Sequence, residues 1–359
     1  MAAASPDARE ASLWSGAAVA MLLAALVLFG LFEGALRIWW PQTERVDGGA
    51  RAIRDPDPEV EYVYRPGAHV VIRTPEYVED CRINAEGMRD ETVHVNPKPP
   101  GVFRMLVVGD SFTFGTGSNY DDIWPVILER RLAAGGWNVD VVKAGVEGSD
   151  TRRELLLMRK HVPRYRPDLV MLAFLPNDLF TNQPLGRTAA ASGESGERSH
   201  RFRLESINFL QRLLFRNDVL YALLYMMTAR RQYFVEPPDD LVAEQYRVTM
   251  DLLRQAAEYA GSERTNFAVL SIPQSIQVLF KARGMRAPGI DVDAMDRRLG
   301  GFAAANRVQW LPVMERMVED YRRNRWDLFY RFDGHLTARG NRVVGEWLAA
   351  ELLRMHGVE

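Results

Sequence analysis

From residue 104 onward the chain alternates short apolar-rich runs with stretches of helical spacing, and this constrains the fold more than any other feature. Residues 104–109 (RMLVVG), 139–143 (VDVVK) and 169–175 (LVMLAFL) are each followed by a turn cluster rich in Gly, or by Pro-Asn-Asp. Short runs bounded in this way read as strands, the most apolar of them buried on both faces as in a parallel sheet. Residues 123–134 and 152–165 lie between them with apolar residues at helical spacing. Strands alternating with helices imply right-handed crossovers and a parallel sheet. Residues 266–272 read as a fourth strand, 306–311 as a shorter fifth, and 338–356 as a closing helix.

In such a sheet the carboxyl ends of the strands share one edge, where open α/β folds place their chemistry. Three strand ends carry Ser111, Gly148 and Asn177, and the loop before the last helix carries Asp333 and His335. These residue types suit acyl transfer. A serine hydroxyl becomes a nucleophile when a base takes its proton, and His335 is a candidate base. Asp333 is the candidate that orients the imidazole. The backbone N–H groups of Ser111 and Gly148 and the side-chain amide of Asn177 are candidate donors to an oxyanion. Each block alone also reads as an ordinary turn or cap: Asp110 and Ser111 as a helix cap, Asn177-Asp178 as an Asx turn, the glycines as turn residues. Their order, each just past a strand or before the final helix, favours a shared site.

These blocks resemble the SGNH/GDSL hydrolase family. Gly109-Asp110-Ser111-Phe112 resembles the first block, Ala144-Gly145-Val146-Glu147-Gly148 the second, Asn177-Asp178 the third and Asp333-Gly334-His335 the last. Residues 83–89 are similar to a segment that precedes the serine block in membrane-anchored bacterial members. The resemblance implies a three-layer αβα, flavodoxin-like domain over residues 101–359, with an inserted helical segment at about 183–240. It implies Ser111 as nucleophile, His335 and Asp333 as the other triad members, and Ser111, Gly148 and Asn177 around the oxyanion, with no metal or organic cofactor. Three departures stand out. Lys143 replaces a common Asn, Leu175 replaces a common Gly, and the acid sits two residues before the histidine, where many members space it three. The first two are expected to reshape the pocket. The implied substrate is an acyl ester, plausibly an O-acyl group of cell-envelope carbohydrate or lipid. An O-acetyltransferase using the same triad and a catalytically silent envelope-binding protein are the alternatives.

The N-terminal hundred residues read differently. After a tail at 1–10, residues 11–32 carry no charge until the glutamate that follows, long enough for a transmembrane helix, with Trp14 at one end and Trp39-Trp40 at the other. A cleaved signal sequence is the rival, but an acidic start and a poor cleavage site favour a retained anchor. Arg37, Arg45, Arg51 and Arg54 follow the span and only Arg9 precedes it, a charge count that votes for a cytoplasmic domain. That count binds long domains weakly, and the family resemblance implies an inner-membrane, single-pass protein with an extracytoplasmic domain. Residues 33–100 read as a linker and small accessory segment, with 41–65 a polar linker and short strands at 69–73 and 81–84. Residues 97–101 (PKPPG) mark a boundary.

The apolar run at 204–227 is interrupted by Arg212, Arg216 and Asp218 and is expected to pack on the domain or roof a cleft. By its amphipathic character a membrane-surface role is the alternative. A net charge of −2 gives no reason to expect nucleic acid as a partner. Cys81 is the only cysteine, and no histidine pair has zinc-ligand spacing.

Overall fold

In the computed structural model, residues 6–42, 45–47, 53–182, 204–324 and 328–355 are described. Residues 186–203, rich in Ala, Ser, Gly and Arg and read from that composition as a loop, lie outside them. The first helix, α1, spans Pro6–Trp39, and its stretch Ala17–Trp39 is long and apolar enough to cross a membrane. The helix thus extends beyond the expected 11–32 at both ends. Glu33 and Arg37, one turn apart, pair at 2.7 Å and do not end it.

Short strands follow: β1 (Arg45–Asp47), β2 (Arg54–Asp57), β3 (Glu61–Tyr64), β4 (His69–Arg73) and β5 (Val78–Arg82). β1, β4 and β5 form one antiparallel sheet, and β2 and β3 form a hairpin. The polar linker expected at 41–65 is therefore corrected for its second half. Pro56 sits in a two-stranded hairpin, where a missing N–H is tolerated at an edge. Ile53, Val60 and Tyr64 are buried and join the core on one face of the main sheet.

That main sheet has five strands: β6 (Phe103–Gly109), β7 (Val139–Gly145), β8 (Leu169–Phe174), β9 (Asn266–Ser271) and β10 (Gln309–Pro312). All neighbours are parallel, in the order β7-β6-β8-β9-β10. Counted along the sheet strands alone, this is 2-1-3-4-5, the flavodoxin-like order. Alternation along β6 feeds two cores: Met105 and Val107 pack with Trp124, Leu128 and Leu348, while Leu106 and Val108 pack with Leu155, Met158 and Leu252. The helices that supply those cores are α3 (Trp124–Ala134), α4 (Thr151–Tyr165), α8 (Asp240–Ser262) and α12 (Ala338–Met355), so the sheet is the middle of three layers.

The rest of the helical order is α2 (Ser111–Phe114), α5 (Asp178–Thr181), α6 (Glu205–Phe215), α7 (Asp218–Met226), α9 (Ser275–Arg283), α10 (Ala294–Ala305) and α11 (Met314–Asn324). The apolar run at 204–227 is thus two helices. Asn217 divides them, because its side chain accepts the N–H groups of Val219 and Leu220 and caps α7. β6 and β8 are the strands at which the winding direction reverses, so a crevice opens beyond their carboxyl ends.

Candidate active site

Ser111 is the first residue of α2, directly after β6. The chain turns sharply there because Gly109 lacks a side chain: a Cβ would lie 2.1 Å from the Thr113 hydroxyl. Asp110 does cap the short helix, accepting the Phe112 N–H at 2.8 Å. Its other oxygen lies 3.4 Å from Asn177 Nδ2. The capping reading and the functional reading of this turn are therefore compatible. Asn177 precedes α5 and makes no capping bond with its side chain, which leaves the amide to face Asp110 across the switch point.

The loop before α12 brings the histidine to the serine. His335 Nε2 lies 2.7 Å from Ser111 Oγ, and His335 Nδ1 lies 2.5 Å from Asp333 Oδ1. Gly334, at φ +95°, is the hinge that lets a carboxylate two residues upstream curl back to the ring. Asp333 Oδ1 also accepts the His335 backbone N–H at 3.1 Å, which fixes the short turn. Phe112 stacks obliquely on the imidazole at 5.1 Å.

The electrostatics follow from this packing. Burial resists the imidazolium, but the Asp333 carboxylate outweighs it, with Asp110 and Glu147 adding to the effect, and lifts the His335 pKa to about 9. Burial likewise pushes the Asp333 carboxyl up, and the charge and hydrogen bonds of His335 hold it below its usual value. Asp110, deeper, is pushed up to about 6 by burial despite the Phe112 N–H and the nearby histidine.

Ser111, His335, Asp333 and Asn177 line one cavity of about 250 Å³, shared with Tyr221, Tyr225, Arg230, Tyr233 and Gln274. The lining does not include Gly148, which sits in the turn after β7 at φ +70°. Lys143 and Leu175, the expected pocket-shaping departures, are not in the lining either. Lys143 is buried in an ion-pair network, 3.0 Å from Asp90 and 2.8 Å from Glu129. Leu175 is fully buried, and its N–H donates to Asp178 at 3.1 Å. Both departures belong to the core.

The accessory segment reaches three of the four loops of the candidate site, and little of this is visible in sequence. The Glu76 carboxylate accepts the backbone N–H groups of Phe332 and Asp333 at 3.0 and 2.9 Å. Tyr77 donates its hydroxyl to Asp333 Oδ2 at 3.2 Å. The buried Arg89 guanidinium pairs with Glu79 at 2.8 Å and donates to the carbonyls of Phe114 and Gly115 at the end of α2. Tyr62 donates to the Glu147 carbonyl, and the Glu147 N–H donates to the Tyr64 hydroxyl at 3.0 Å, pinning the turn that leads to Gly148. The sequence signal for Arg89 is its place in the 83–89 segment. Glu76 and Tyr77 carry none, since they act across 256 or more residues.

A serine hydroxyl bonded to an imidazole that is itself held by a carboxylate can surrender its proton as it attacks a carbonyl. Comparison with known proteins agrees with that chemistry. Residues 107–343 match the model of the GDSL-like lipase/acylhydrolase family. An arylesterase from Vibrio mimicus is 29% identical over 75 residues, a stretch covering 21% of this chain and 38% of that protein. The match thus spans well under half the length of that relative. Among solved structures, TesA aligns at 18% identity with a TM-score of 0.42, covering 70% of this chain and 99% of that one. A lipolytic G-D-S-L protein from Veillonella parvula aligns at 14% identity and a TM-score of 0.42, covering 70% and 98%. The family match spans well over half of the chain and takes in the serine turn, both middle blocks and the Asp-Gly-His loop, so the chain belongs to the GDSL-like lipase/acylhydrolase family.

Proposed function

We propose that the protein is a serine esterase that cleaves acyl esters through an acyl-Ser111 intermediate. The observation that carries this reading is the continuous hydrogen-bonded line from Ser111 Oγ through the His335 ring to Asp333, at 2.7 and 2.5 Å. His335 takes the serine proton as Oγ attacks the ester carbonyl, and Asp333 holds the ring so that Nε2 faces the serine. The negative oxygen of the tetrahedral intermediate is met by the backbone N–H groups of Ser111 and Gly148 and by the amide of Asn177. His335 then gives its proton to the leaving alcohol, and water repeats the sequence to release the acid.

The cavity supports an O-acylated carbohydrate or similar polar ester as substrate. Three tyrosines, Arg230 and Gln274 offer flat aromatic surface and polar groups. Tyr221 and Tyr225 are held in place by bonds to Ser275 and Gln274, both at 2.5 Å. The helix α1 supports a retained membrane anchor over a cleaved leader. Glu33 and Leu36 are buried, and the Glu33 carboxylate accepts the first N–H groups of α6, at 2.8 and 2.9 Å. Cleavage near residue 33 would strip that cap from the domain. The catalytic domain lies outside the cytoplasm in this reading, and a C-terminal alkaline phosphatase fusion reports its side directly.

A fluorophosphonate probe tests the central claim, because it reacts only with an activated serine. The full chain should be labelled and the Ser111→Ala variant should not. Equal labelling of both sinks the assignment. Incubating the labelled-competent enzyme with acetylated sugars, with and without sugar acceptors, then separates hydrolysis from acetyl transfer by the products.

A further inference from the structure

The two helices of the insert present an apolar face that none of the described residues covers. Outside α1, thirteen large hydrophobic side chains are exposed among the described residues, and seven of them lie on α6, on α7 or at the residue that ends α7. Ile207, Leu210 and Leu213 recur every third residue on α6, and Val219, Leu220, Leu223 and Met227 line one side of α7. Such spacing makes a continuous stripe on a helix surface. Exposure reaches 75% at Met227, far from the scattered single residues that are ordinary on a protein surface.

The stripe begins at the membrane-crossing helix. Phe209 of α6 meets the rings of Phe32 and Trp40 at 5.9 and 5.5 Å. The start of α6 is tied to Glu33 and, through the Gln42 N–H at 2.6 Å from Glu205, to the segment after α1. Glu33 is six residues before the end of α1 at Trp39, about 9 Å along a helix axis. That is the depth at which an interfacial helix rests, at the boundary of headgroups and acyl chains. Arg216, between α6 and α7, and Arg231, just after α7, are exposed, as expected near anionic lipid. α7 has a second face: Tyr221 and Tyr225 line the Ser111 cavity. The same helix therefore carries the apolar stripe on one side and the wall of the active site on the other.

We propose that α6 and α7 seat the catalytic domain on the bilayer surface through Ile207, Leu210, Leu213, Val219, Leu223 and Met227, so that the Ser111 cavity serves esters presented at that surface. The occupant is lipid because the stripe is continuous with the helix that enters the membrane. The proposal rests on the reading of α1 as an anchor.

The test uses the full chain in nanodiscs of phosphatidylcholine and phosphatidylglycerol, with one fluorophore at Leu213→Cys or Leu223→Cys. The native Cys81 is buried, so it should stay unlabelled in the folded protein, and a Cys81→Ser background makes the label unique. Leu26→Cys within the span and Val93→Cys, exposed on the accessory segment, are the references. Labels at 213 and 223 should be quenched by nitroxide-bearing lipid and protected from iodide, as at 26, while 93 responds only to iodide. Labels at 213 and 223 that behave like 93 overturn the proposal. Shielding from both quenchers, with cross-linking between copies, assigns the face to a dimer and also overturns it. Loss of lipid quenching at 26 as well defeats the anchor and the seat together. A paired Leu213→Glu and Leu223→Glu variant should lose about tenfold on an ester embedded in vesicles and nothing on a soluble aryl ester. Equal loss on both substrates refutes a seating role, and no activity of the native chain on either refutes the esterase reading instead.

Discussion

Asp333→Asn should lose activity by an amount that depends on pH, and the size of the dependence follows from the site. With the His335 pKa at about 9, only about one imidazole in a hundred is a free base at about pH 7. The carboxylate of Asp333 is the largest favourable influence on that charge, both through space and through the 2.5 Å bond to Nδ1. Removing it leaves burial opposed only by the weaker influences of Asp110 and Glu147, so the pKa should fall by about two units, equivalent to about 3 kcal/mol of imidazolium stabilisation. The variant then has about half of its histidine or more in the basic form at neutrality, a gain of about 50-fold and at most about 10². Against this stands the loss of tautomer and ring orientation, about 10⁴ in the best-studied triad. The net deficit should be about 10² near pH 7 and the full 10⁴ near pH 10, where the native enzyme is also deprotonated. Measuring kcat/KM of the full chain on a soluble aryl acetate across that range gives both the deficit and the midpoint of the alkaline limb. A deficit that stays constant with pH, with the midpoint unmoved, refutes the assignment of Asp333 as partner of the ring.

Three further outcomes are expected. Asn177→Ala should cut turnover by about 10²–10³ with the fold intact, as for loss of one oxyanion donor, and full activity in the variant would make the residue a turn former only. Tyr77→Phe removes the hydroxyl that Asp333 Oδ2 accepts while keeping the ring against Tyr330, so kcat should drop about tenfold with KM unchanged; a change confined to KM counts against a positioning role. Glu154→Gln addresses stability. Burial, then the carboxyls of Asp178, Asp110 and Asp150, raise the Glu154 pKa well above its ordinary value, and neither of its oxygens has a hydrogen-bond partner among the described residues. The folded state therefore keeps a proton that the unfolded chain releases above about pH 4.5, and native stability falls by about 1.4 kcal/mol per pH unit from this group as pH rises toward the folded pKa. The glutamine variant should lose less stability from pH 5 to pH 9 than the native protein in thermal unfolding, and parallel curves would contradict the assignment.

Much of the sheet is legible because its strands are buried on both faces and hence continuous in sequence. Residues 103–109 and 169–174 could hardly be anything else. The blocks of Ser111, Asn177 and Asp333-His335 stand out for a related reason, since each sits at a chain reversal that the fold requires, and the three share one cavity. What failed was anything held by distant partners. The β2–β3 hairpin looks polar because Pro56 and Pro58 stand among charges, yet Tyr64 is buried by packing on Phe114, fifty residues away. Between 273 and 306 the helices α9 and α10 left no clear period. Gly300 lies inside α10 under the Trp310 indole, where a Cβ would lie 3.2 Å from the ring. Lys143 reads as a departure at the site and is in fact a core cation whose three acceptors come from Asp90, Glu129 and the Val141 carbonyl.

The grip of the accessory segment on the active-site loops bears on how the molecule can be divided. Composition draws a border at residues 97–101, and a protein beginning there would keep the five-stranded sheet and Ser111. It would lack Glu76 and Tyr77 under the acid loop, Arg89 beneath α2 and the tyrosines at the Glu147 turn. Three loops of the candidate site would then lose the contacts that hold them against the rest of the protein. The border is one of composition alone, and mechanically the hundred residues before it are the frame in which the chemistry is mounted. Substitutions that tune this enzyme are thus to be sought as much in residues 53–90 as around the cavity itself.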